Sequence, residues 1–260
     1  MLAGVVLLLS GDYTKAQRVK SSTKAGEQRK AEKGLKDNRY FIYFLNTTVT
    51  NFGTDTQHNA FREIVQRDIF SQFLYMKYMF YESFSEIRKC QKNLIVLYRE
   101  FLRSDIEMAK KQLDDFAPIV IASKDPLARL YLRLGYREAV STSIEMGMGD
   151  HYRETLYSMR LYKYVKAIKR IKEAKKYAFY AAIRARQTEK EKRANKPFTY
   201  DDVEKKLSDI VSPADLERFR IISIDSFYKS KEPVTSFDAI WEKPELESLD
   251  DFKKYLESEE

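Results

Sequence analysis

The chain has 260 residues, 43% of them hydrophobic and 33% charged, with a formal net charge of +8. That much apolar material excludes global disorder, and the scarcity of breakers, 8 Gly and 6 Pro in all, excludes a turn-rich sandwich or barrel and favours long helices. Cys90 is the single cysteine, so neither an intramolecular disulfide nor a cysteine-rich zinc site can form, and it reads as a small buried apolar residue in a helix.

The apolar run Met1–Leu9 has no basic leading segment, no small-residue cleavage site and too few residues to span a bilayer. It reads as the end of a packed helix. A break at Gly11 precedes a second helix from about Asp12 to Asn46, loosened at Gly26 and Gly34, and Thr47–Thr56 predicts a loop. Gly53 to Pro118 holds no internal Gly or Pro, so helix dominates, with breaks expected near Ser83–Ser85 and at Ser104, which has capping-box spacing to Glu107. Within it, Phe73–Tyr81 is apolar on nearly all sides of a helix; core packing is the default, and any exposed remainder marks a binding face.

Pro118 ends or kinks its helix, and Asp125-Pro126 supplies an N-cap and first-turn proline for a short helix to about Leu134. Gly135 breaks it, a further helix runs to Met146, and Gly147 and Gly149 form a turn. Asp150 then caps the longest helix, to about Asn195, with a stripe at Tyr157, Leu161, Tyr164, Ile168, Ile171, Ala178 and Ala182, interrupted at Lys175. Its three- and four-residue steps keep one face apolar. Beyond Ala182 the stripe runs out, predicting an end that projects into solvent or meets a partner. Short helices follow at Tyr200–Val211, after Ser212-Pro213 and at Leu249–Leu256, with Ile222–Leu246 as an extended arm pinned by Trp241.

Two segments, Leu8–Ala16 around Gly11 and Ala128–Ala139 around Gly135, resemble the helix–turn–helix of tetratricopeptide repeats, in which a glycine makes the turn and a following aromatic packs between the helices. Their separation of 124 positions excludes a regular array of about 34 residues. The stretch Tyr152–Val165 in turn resembles the flagellar-coiling sheath proteins of the spirochaete periplasmic flagellum. That resemblance implies a helical, non-enzymatic protein that coats a filament and sets its curvature, located in the periplasm; without it the chain reads as cytoplasmic.

Charge is segregated along the chain. Residues 150–196 hold 15 Lys and Arg against 5 Asp and Glu, a local +10, whereas residues 201–260 hold 9 against 17, a local −8. Such polarity invites contact between chain ends or between copies. The dense run Lys163, Lys166, Lys169, Arg170, Lys172, Lys175 and Lys176 could instead track nucleic-acid phosphates, although no nucleic-acid signature accompanies it. An enzyme is the lesser alternative. His58 and His151 are the two histidines and each reads as an exposed first-turn residue; the pairs Asp114-Asp115, Asp201-Asp202 and Asp250-Asp251 are adjacent rather than convergent, and no phosphate loop, nucleophile elbow or metal-ligand pair occurs.

The sequence therefore predicts an all-α, elongated helical bundle with tetratricopeptide-like hairpins. It divides into a bundle over 1–121, a hairpin plus long basic helix over 122–221 and an acidic arm over 222–260. No cofactor, metal or catalytic residue is expected. The function is binding to other proteins or to copies of itself, with Lys163, Lys166, Arg170, Lys176 and Trp241 as contact residues.

Overall fold

The computed structural model describes residues 23–189 and 232–259, together with Lys192, Lys205, Leu207, Ser208, Asp209, Ser212, Pro213 and Leu216. The expected break at Gly11, the hairpin at Leu8–Ala16 and most of the segments at Tyr200–Val211 and 222–231 lie outside these residues. Among the described residues the architecture is all-α: α1 Lys24–Phe52, α2 Asp55–Met76, α3 Phe80–Ala122, α4 Pro126–His151, α5 Tyr157–Arg186, α6 Ser236–Glu242, a 3₁₀ turn Leu246–Ser248 and α7 Asp250–Glu259.

Helices α1, α3 and α4 run past breaks that the sequence suggested. Thr23 caps α1, which runs unbroken through Gly26 and Gly34 because Ala31, Gly34, Asn38, Phe41, Ile42, Leu45 and Val49 keep one face buried. Thr47 and Thr48 are buried within α1, so the expected ten-residue loop shrinks to Gly53-Thr54. Thr54 at once opens α2: its hydroxyl accepts from the Gln57 backbone N–H at 3.3 Å, and Gln57 Oε1 accepts from the Thr54 N–H at 3.0 Å. The break expected at Ser83–Ser85 falls instead at Lys77–Met79, where Tyr78 adopts the left-handed region at φ 61°. Ser83 sits inside α3 and donates its hydroxyl to the Ser71 carbonyl across the α2–α3 seam at 2.8 Å.

Helix α3 continues for 43 residues through Ser104 and through Pro118. Pro118 is solvent-facing, so the carbonyl it deprives of a partner one turn earlier can meet water. Asp125 and Pro126 start α4 as expected, the Asp125 carboxylate accepting from Leu127 N at 2.9 Å and Ala128 N at 2.8 Å. The hairpin expected at Ala128–Ala139 is one continuous helix, however, and Gly147 and Gly149 lie inside it too. No described glycine has positive φ. Gly135 and Gly149 serve close approach: a Cβ on Gly135 would lie 2.5 Å from Leu113 Cδ2, and one on Gly149 would lie 2.6 Å from Tyr164 Cε1. The turn comes later, so α5 starts at Tyr157 rather than at Asp150.

Two apolar cores share one spine. The first joins α1, α2, α6 and the parts of α3 and α5 around Leu94–Leu102 and Leu161–Ile168. The second joins α4 to Ile106–Val120 of α3 and Ile171–Ile183 of α5. Leu207 is buried in this second core and Leu216 packs against it; part of the stretch beyond Ala182 expected to project lies outside the described residues. Cys90 is buried in the first core, its thiol 3.5 Å from the Ile64 carbonyl.

Asp68 is the charged exception in the α1–α2 seam. Burial pushes its carboxyl up to about 6, against hydrogen bonds from Asn38 at 3.1 Å and Gln72 at 2.8 Å that favour the ionised form. The ordinary value is 3.8, so between about pH 4 and 6 the folded state holds this proton more tightly than the unfolded chain. Stability from this group therefore falls as pH rises through that window, by about 3 kcal/mol. Asp68→Asn is expected to flatten the decline between pH 4 and 6 in urea-unfolding free energies. The glycine reading is checked in the same assay: Gly147→Ala, whose Cβ would meet nothing within 4 Å, should stabilise by about 1 kcal/mol, whereas Gly135→Leu should destabilise by about 2 kcal/mol or more. A turn at Gly147 would reverse the sign of the first change.

Candidate interaction surface

The basic row of α5 is held by α4. Lys163 and Lys166 Nζ lie 3.0 and 2.5 Å from the two oxygens of Glu145, and Arg170 Nη1 lies 2.8 Å from Glu138 Oε2. Burial pushes the Glu145 carboxyl up, but the two ammonium groups outweigh it and leave it below the usual carboxylate range. Lys176 pairs with Glu173 on its own helix at 3.1 Å. Lys172 and Lys175 are buried, and Lys169 sits over the Phe44 ring at 5.6 Å. The seven cations thus form no continuous track for a phosphate backbone. Three of the expected contact residues, Lys163, Lys166 and Arg170, bridge α5 to α4 within the molecule through these pairs.

The acidic C-terminal segment docks away from that row, on α2 and α3. Asp251 meets Arg67 at 2.7 Å and Lys89 at 3.0 Å, and Arg67 also meets Glu63 and Glu86 at 2.9 and 3.1 Å. The Arg67 guanidinium holds the Asp251 carboxyl below its ordinary value in spite of burial. Gln66 Nε2 donates to the Pro244 carbonyl at 2.7 Å and the Ser248 hydroxyl at 2.9 Å. Phe252 packs edge-on against Phe70 at 5.3 Å, closing a third apolar cluster with Leu74 and Leu249.

Part of the expected extended arm is helix α6, started by a Thr235–Asp238 capping box. Its N-terminal amides are seated on α1, with Ser236 N donating to Thr50 Oγ1 at 3.0 Å and Phe237 N donating to Asn46 Oδ1 at 2.9 Å. Phe237 and Ile240 enter the first core, while Trp241 stays 44% exposed. The arm is therefore pinned by Phe237 and Ile240, three positions apart on one buried face, with the Trp241 indole on its rim.

Part of the exposed apolar surface is aromatic. Tyr162 of α5 stacks on Tyr40 of α1 at 5.8 Å, Tyr43 lies one turn further along α1 and contacts Phe237 at 4.6 Å, and Phe237 stacks with Trp241 at 5.6 Å. Tyr40, Tyr43, Tyr162 and Trp241 are each between 36% and 48% exposed. Five rings from three helices form a ladder of two contacting sets, Tyr162–Tyr40 and Tyr43–Phe237–Trp241, set one turn apart on α1, and Lys166 lies one turn beyond Tyr162 on the α5 surface. The Tyr162 hydroxyl donates to Asp37 Oδ1 at 3.1 Å, which fixes that ring. A second exposed group lies at the α2–α3 turn: of the Phe73–Tyr81 run, Leu74 and Phe80 are buried, but Met76, Tyr78 and Tyr81 are 65–73% exposed.

Among the described residues there is no cluster of His, Cys, Asp and Glu able to hold a metal ion, and no helix is long and apolar enough to cross a membrane. His58 faces the Ser236 hydroxyl at 3.3 Å, and His151 ends α4 rather than opening a helix, its Nδ1 2.7 Å from the Gly147 carbonyl.

The roles of the two α6 aromatics separate by truncation. Phe237→Ala is expected to cost about 3–5 kcal/mol in chemical denaturation, while Trp241→Ala should cost about 1 kcal/mol or less, since the indole is a rim group.

Comparison with known proteins gives one match. Neither the curated proteins nor the solved structures contain a similar chain. A family model described as surface protein adhesin OmpL37 matches residues 25–251, which takes in α1 to the start of α7 and every ring of the ladder. The chain belongs to the OmpL37 surface protein adhesin family.

Proposed function

We propose that this protein is a non-enzymatic adhesin displayed at the cell surface, and that it binds a partner protein through the aromatic ladder Tyr162–Tyr40–Tyr43–Phe237–Trp241. Membership of a surface-adhesin family carries this reading, and the ladder supplies the chemistry. Tyr and Trp bury large areas with few rotors to freeze, which is why they dominate the energetics of protein interfaces. These rings are already held by Asp37 and by the buried Phe237, so binding orders little that was free. Lys166, 52% exposed, adds a cation at one end that steers more than it binds.

The second reading is a filament sheath protein in the periplasm, favoured by the resemblance of Tyr152–Val165, which spans the α4–α5 connection and the first turns of α5. Location separates the two. Antibody labelling of intact cells is expected if the protein is surface-displayed; labelling confined to permeabilised cells would support the sheath reading and contradict the adhesin one.

For binding itself, the purified chain is expected to bind immobilised extracellular proteins saturably. The triple variant Tyr40→Ala/Tyr43→Ala/Trp241→Ala should lose at least tenfold in affinity, since central aromatic contacts contribute about 2 kcal/mol or more. An unchanged affinity with intact helical circular dichroism would remove the ladder from the interface.

A further inference from the structure

The apolar stripe of α5 is broken once, at Lys175, and the break opens onto a cavity. Lys175 is 5% exposed, although it occupies a position where every neighbouring stripe residue is apolar. Its ammonium meets Asp105 Oδ1 of α3 at 2.5 Å, which uses one of its three N–H groups and leaves two donors with no acceptor among the described residues. Both side chains line a cavity of about 200 Å³ between α1, α2, α3 and α5, walled by Phe52, Phe101 and Met108. Thr48 lines it as well, and the Thr48 hydroxyl is buried with no hydrogen-bond partner. The Lys175–Asp105 pair thus stands beside an apolar wall, and a pocket with a few convergent polar groups on an apolar lining is the usual form of a small-molecule site.

We propose that this cavity binds a small aromatic carboxamide. The chemistry follows from the pair: Lys175 donates to a carbonyl oxygen, Asp105 accepts from the amide N–H, and the ring lies against Phe52, Phe101 and Met108. A carboxylate ligand satisfies Lys175 but meets Asp105 with like charge, so the amide is the preferred head group. The space suits one six-membered ring, since a cavity of about 150 Å³ holds benzene.

The test is an NMR titration of the intact protein with benzamide and, separately, benzoate, following backbone amides. Benzamide is expected to shift Thr48, Phe52, Ser104 and Lys175 saturably, with a midpoint on the order of 1 mM for so small a ligand, and benzoate should bind at least tenfold more weakly. Lys175→Met/Asp105→Asn, which removes both charges together and so leaves no unpaired ion in the fold, should abolish saturable shifts while the helical circular dichroism is kept. Non-saturable shifts in the native protein, equal binding in the double variant, or benzoate binding as well as benzamide would each overturn the assignment.

Discussion

The structure depends on the burial of the inner face of α5 between α3 and α4. Leu161, Tyr164, Ile168, Ile171, Phe179 and Ile183 are essentially inaccessible to solvent along it, and full burial of a large apolar side chain contributes about 1.5–3 kcal/mol each before entropic costs. Between them stand Ala167, Ala174, Ala178, Ala181 and Ala182, also fully buried. Their small size lets neighbouring helices approach closely, and Gly135 and Gly149 of α4 do the same from the facing side. Because α3 is 43 residues long, about 65 Å at 1.5 Å per residue, it passes through both apolar cores, and α5 follows it through both. The remaining helices are placed by which end of this spine they cover.

Electrostatics then works inward. The segregation of charge along the chain suggested ends that attract a second molecule, yet the ions in the structure tie helices of one molecule together. Glu138 and Glu145, nearly buried on α4, are matched by Arg170, Lys163 and Lys166. Such pairs add little net stability over apolar packing, but removing one partner leaves a buried charge that is expensive. They therefore fix the register of α4 on α5. Arg67 does the same for the C-terminal segment, gathering Glu63, Glu86 and Asp251 around one guanidinium.

Much of the fold was legible in the sequence because helix-forming residues, scarce breakers and apolar period agree. The Asp125-Pro126 start of α4 and the stripe of α5 are local signals with local causes. The errors share one physical origin, tertiary contact overriding local preference. Gly34, Gly135 and Gly149 are poor helix formers kept in helices by the neighbour that crosses them, and a single sequence does not distinguish that use from a turn. Thr47 and Thr48 look like loop residues but belong to a buried helix end. Tyr78 takes a left-handed conformation that glycine would signal and tyrosine does not. The ladder was the least legible feature: Tyr40, Tyr162 and Trp241 are more than 70 positions apart in pairs, and no spacing rule joins them. Trp241 could be singled out as the lone tryptophan, although its place at the rim of α6 could not.

The central claim is that α3 runs uninterrupted through Ser104 and binds the two cores into one cooperative unit. Native-state hydrogen exchange measured by mass spectrometry tests it most directly. Amides from Tyr98 to Leu113 should exchange with the free energy of global unfolding, matching core amides of α3 on either side. Faster exchange centred on Ser104, or separate opening energies for the two cores, would contradict it.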